Sequence, residues 1–193
     1  MEDDFVSREK KILSILEQEI EDGEQMTAAV RKIAEQLLHG EKGYLPGDVR
    51  KDVVFAVVLG AETAKSYVDF LVSVDGMIAM VIKCAAGSLN SRERHVVAAA
   101  RVLGDLPIPV AVVMDPMNAV VLDGVTGKMT GEGFEAVPTK EQIRRMLSGK
   151  KLVPLPPEKV EREKRILLAF DAIRSCIPRG ADGGVSLGGA SKE

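Results

Sequence analysis

Two charged residues sit inside apolar strand patterns and could carry chemistry: Asp69 in YVDFLVSV (67–74) and Lys83 at the end of MIAMVIKC (77–84). Strand alternation puts Val68, Phe70, Val72 and Val74 on one side, with Tyr67, Asp69, Leu71 and Ser73 on the other. A carboxylate flanked by apolar neighbours is costly unless it is paired with a cation or coordinates one. Asp69 therefore reads either as the partner of a nearby Arg or Lys, or as a metal-site position. Lys83 shares a face with Met77, Ala79, Val81 and Ala85. It can snorkel from the strand end to solvent, or pair with Asp69 across the hairpin. A two-residue turn at Asp75-Gly76 sets Val74 opposite Met77 and hence Asp69 opposite Ile82, with Lys83 one step beyond.

A helix after these strands carries Arg92, Arg94 and Arg101. Arg94 and Arg101 are seven apart and share a face, so the three are candidates for contacting phosphates or a partner; a solvated face is the plainer reading. Glu93 is a further acid on the same helix. His39 and His95 have no Cys or His at ligand spacing, and no GxxxxGK[ST] phosphate loop occurs.

The elements that must position these residues follow from periodicity. Residues 3–21 read as an amphipathic helix, broken by Asp22-Gly23, and a second helix covers about 24–39. Strands are expected at 52–59, 67–74 and 77–84, with a turn over 60–66. Asn90 or Ser91 caps a helix to about Leu103. Strands at 108–114 and 119–122 follow. Thr139 caps a short helix with Gln142 at its third position, and Pro157 opens a last helix running to about Cys176. The expected division is an N-terminal amphipathic helix (1–22), a main domain (23–150), a linker and C-terminal helix (151–177), and a glycine- and serine-rich disordered tail (178–193). The fold class is α/β with a mixed central sheet.

Residues 68–86 resemble the N-terminal nuclease domain of type I restriction enzyme R subunits, in the PD-(D/E)xK superfamily. That family places an Asp in one strand, a DG or NG turn, and an apolar strand ending in Glu-x-Lys. Lined up on Asp75-Gly76 and on Gly87, Asp69 falls on the metal-binding Asp, Lys83 on the Glu and Ala85 on the catalytic Lys. The likeness spans roughly residues 24–145, including GYLPGD (43–48), the helix with Arg92 and Arg94, and VVLDGVTGK (120–128). It implies a three-layer α/β/α restriction-endonuclease-like fold and, in active members, Mg2+ held by carboxylates. Ala28 and Ala29 stand before Val30-Arg31 where the family often has a Glu. With the Glu-x-Lys motif lost, the resemblance implies a protein without nuclease activity or cofactor, binding DNA or a protein partner. The alternatives are an active Mg2+-dependent endonuclease with migrated groups (Asp69, Glu93, Lys83) and an oligomeric assembly module joined through its terminal helices.

Composition narrows the field. The chain has 193 residues, 46% apolar and 28% charged, with a net charge of −3, so nucleic-acid binding would need a local basic patch. Two lone cysteines, Cys84 and Cys176, suit buried thiols in a reducing compartment. No run reaches the about 18 apolar residues of a membrane span, and the N-terminus lacks the apolar core of a signal peptide. The expected location is the cytoplasm, without membrane association.

Overall fold

The computed structural model describes residues 18, 21–86, 89–149 and 152–175. Most of the helix expected over 3–21, Cys176 and the tail over 178–193 lie outside them. Helix α1 (21–36) passes through Asp22 and Gly23 without a break, so this pair does not separate two helices as expected. The cost of a helical glycine is only about 1 kcal/mol. Here the Gly23 carbonyl also accepts the Thr27 hydroxyl at 2.8 Å. Val30, Ala34, Leu37 and Leu38 are buried at helical spacing, and the last turn, Leu37–Glu41, widens into a π turn.

Six strands follow among the described residues: β1 (Val49–Leu59), β2 (Glu62–Val74), β3 (Met77–Cys84), β4 (Val110–Met114), β5 (Ala119–Asp123) and β6 (Met129–Glu132). They are ordered in the sheet as in the chain. Only β3 and β4 pair in parallel. A parallel pair needs a crossover, supplied by helix α2 (Asn90–Val102). Leu89 stands in the cap position of α2 with no side-chain cap bond; neither Asn90 nor Ser91 precedes the first turn as expected. The expected 60–66 turn shrinks to Gly60-Ala61, because Glu62–Ser66 pairs with β1. Strand β6 is additional to the expected set.

Helices cover both faces of the sheet. On one, α1, Tyr44, Val137 and helix α3 (Lys140–Gly149) pack on Phe70, Val72, Val74, Met80 and Ile82. On the other, α2 and helix α4 (Pro157–Ser175) pack on Val57, Val68, Leu71, Val81 and Val113. Strands β3 and β4, buried on both faces, are accordingly almost wholly apolar. Thr139 caps α3 as expected: Gln142 N–H donates to its hydroxyl (3.2 Å), and the Gln142 side chain accepts from Thr139 N–H (2.7 Å).

Candidate functional site

The Asp75-Gly76 turn has both residues at positive φ, +50° and +83°, the two-residue hairpin geometry that glycine favours. Val74 pairs with Met77 and Ser73 with Ile78, as expected. The register then shifts by one, so that Val72 pairs with Met80 and Phe70 with Ile82. Ala79 is the extra residue of a β-bulge. Continuing the shifted register sets Lys83, not Ile82, across from Asp69.

A second irregularity lies beside it. Asp52 of β1, at the position across from Asp69, has φ +53° and drops out of the ladder between Lys51–Phe70 and Val53–Val68. The side-chain alternation flips here. Phe70, Val72 and Val74 lie in the α1-side core, whereas Val68 joins Leu71 in the α2-side core. The expected single face from Val68 to Val74 is therefore broken at Asp69.

The kink turns the Asp69 carboxylate, 3% exposed, toward the end of β3. Its Oδ2 accepts the Cys84 backbone N–H at 2.8 Å and faces Lys83 Nζ at 3.7 Å. Its Oδ1 lies 3.4 Å from Arg31 Nε, and the same guanidinium pairs with Asp52. Lys83, 1% exposed, donates to the Tyr67 carbonyl at 3.1 Å, and its Nζ sits 2.9 Å from the centre of the Tyr67 ring. Burial pulls the Lys83 ammonium down to about 8, against the pull of Asp69, which raises it. Burial pushes the neighbouring Cys84 thiol up. Two carboxylates and two cations thus form one network, with both Asp69 oxygens engaged. Ala85, two residues after Lys83, is buried and donates its N–H to Met114 O at 2.8 Å.

The structure brings Asp69 and Lys83 together. No hydrogen bond or ion pair among the described residues joins Glu93 to them. Arg92 is half-buried, and its charge helps lower Lys83. Arg94 and Arg101 face α4. Glu163, fully buried, accepts from Arg101 Nη1 at 2.8 Å and pairs with Arg94 Nη1 at 2.7 Å. Burial works to raise the Glu163 carboxyl, but the two arginines hold it below the usual range. Arg101 also donates to the Gly124 and Val125 carbonyls. His95 Nε2 lies 3.5 Å from Asp171 Oδ1 and its ring meets Phe170 edge-on.

Arg31 and Glu163 escaped the sequence reading. Nothing in spacing marks Arg31, whose partners are 21 and 38 residues away. Glu163 left a signal: with Leu167 and Asp171 it repeats every four residues, so the buried leucine fixes both acids on the buried face. No group of three His, Cys, Asp or Glu able to hold a metal occurs among the described residues. No helix among them is long and apolar enough to cross a membrane.

Comparison with known proteins reaches the level of family. No curated protein and no solved structure matched the chain. The family model described as type I restriction enzyme R protein N terminus matches residues 27–138. That span runs from α1 through the whole sheet and holds Arg31, Asp69 and Lys83, and it covers more than half of the 193 residues. The chain belongs to the type I restriction enzyme R protein N-terminal family.

Proposed function

We propose that this protein is a nuclease-fold module of the PD-(D/E)xK type that has lost cleavage and acts by binding. The observation that carries the reading is the occupancy of Asp69: Arg31 faces one of its oxygens, and Lys83 and the Cys84 N–H share the other. A magnesium ion takes near-octahedral oxygen coordination. The residues here do not fit it, because one buried carboxylate is flanked by two fixed positive charges. Lys83 holds a cation at the position where the family's second carboxylate is expected, and Ala85 supplies no ammonium to orient water.

What is bound follows from charge. Arg94 and Arg101 are spent on Glu163, and the net charge is −3. Both favour a protein surface over nucleic acid, whose affinity rests on free basic groups. The purified protein should leave plasmid and single-stranded DNA intact in Mg2+ or Mn2+. Metal-dependent cleavage that vanishes in Asp69→Ala would overturn the proposal in favour of migrated catalytic groups. The double change Lys83→Glu with Ala85→Lys should create measurable Mg2+ binding in calorimetry. Its failure would count against placing Ala85 at the catalytic lysine.

A further inference from the structure

Strand β1 is one of the two edges of the sheet, and among the described residues it pairs with β2 alone. Natural edges are guarded by charges, prolines or kinks, because their free N–H and C=O groups recruit other strands. Here the guards crowd into the first half of the strand: Arg50 and Lys51 are exposed, and Asp52 carries the positive φ. From Val53 to Leu59 the strand reads VVFAVVL, with no charge. Phe55 and Val57 turn into the α2-side core. Val54, Ala56 and Val58 face outward, with Val54 60% and Val58 48% exposed. A free backbone row and an apolar stripe therefore coincide on one half-strand.

We infer that this half-strand is a homodimer interface, in which β1 of two copies pairs antiparallel about a two-fold axis at Ala56 and joins the two sheets into one. The stripe is self-complementary in that register. Ala56 faces the partner's Ala56, Val54 faces the partner's Val58, and Phe55 faces the partner's Val57. Residues opposite one another share a face, so the outward apolar triplet of each copy lies against that of the other. The charges stay outside the paired stretch. Asp52 comes opposite the turn at the partner's Gly60, and Arg50 reaches the hairpin tip that carries the partner's Glu62, opposite in sign. A two-fold centred on Asp52 would instead set like charges face to face. An isologous pairing of this kind closes on itself and leaves no further β1 edge to extend.

The test uses the full chain. Sedimentation equilibrium should give twice the 20.8 kDa chain mass, and Val58→Lys should return it to a single chain with unchanged circular dichroism and a lower Tm, because that half-exposed side chain leaves the monomer fold intact while the stabilisation supplied by association is lost. Ala56→Cys in a Cys176→Ser background should oxidise to a disulfide-linked dimer, since Cα atoms across an antiparallel pair lie about 4.5–5.5 Å apart, within disulfide reach. Ala64→Cys on β2 should not. A single-chain mass for the unaltered protein overturns the inference, as does a dimer that survives Val58→Lys and fails to cross-link at position 56.

Discussion

An ammonium as deeply buried as Lys83 is held by what surrounds it: the Asp69 carboxylate, the Tyr67 carbonyl and the Tyr67 ring. Its partners do not fully offset desolvation, and burial leaves it at about 8 rather than the ordinary 10.5. The consequence for stability has a definite sign. Between those two values the unfolded chain holds a proton that the folded chain has released, so stability rises with pH across that window. Urea unfolding at pH 7.5 and 9.5 should show the unaltered protein gaining about 2 kcal/mol relative to Lys83→Met. An unchanged difference would mean that the ammonium reaches solvent and is no part of a sealed site. Asp69 and Lys83 were legible as single charges inside apolar strands, which burial tolerates only when paired. Their direct opposition was not, because it depends on the bulge at Ala79, and MIAMVIKC carries no glycine or other local signal to announce one.

The contact of α2 with α4 joins Arg94 and Arg101 to Glu163, and removal of the three charges should cost unequal amounts. Glu163 neutralises two arginines from a fully buried position. Glu163→Ala should cost about 3–5 kcal/mol, since it leaves Arg101 buried without its partner. Arg101→Met should also be severe, because Glu163 loses its buried counter-ion and the Gly124 carbonyl its Arg101 donor. Arg94 keeps much of its side chain in water, so Arg94→Met should cost no more than about 1 kcal/mol. Chemical denaturation of the three variants gives the ranking; equal costs would deny Glu163 its central place. Elements with local chemistry were legible here: the Thr139–Gln142 box, the Asp75-Gly76 turn and Pro157 at the start of α4 all act within a few residues. Arg94 and Arg101 read as a solvated or phosphate-facing stripe, because the acid that claims them arrives 62 or more residues later in the chain.

At the scale of the whole molecule, the family match ends at residue 138, yet the α2-side core does not close there. Leu167 of α4 is fully buried in that core, and Ile166 and Leu168 pack against its margin. The helix contacts β1 and β2 as well as α2, and it brings Glu163 and Asp171 to Arg94, Arg101 and His95. A chain ended at residue 150 would keep every strand and every residue of the Asp69 network. It would also expose Val57, Val68 and the buried face of α2, and leave Arg101 without a counter-ion. Such loss of packing with the backbone ladder intact is the recipe for a molten state. The fragment 21–150 should therefore retain far-ultraviolet circular dichroism, bind a hydrophobic dye and melt without a cooperative transition, while 21–175 melts cooperatively. A sharp transition in the shorter fragment, at a Tm close to that of the longer one, would show that the sheet with α1, α2 and α3 is self-sufficient and that α4 is an attachment laid over a finished fold.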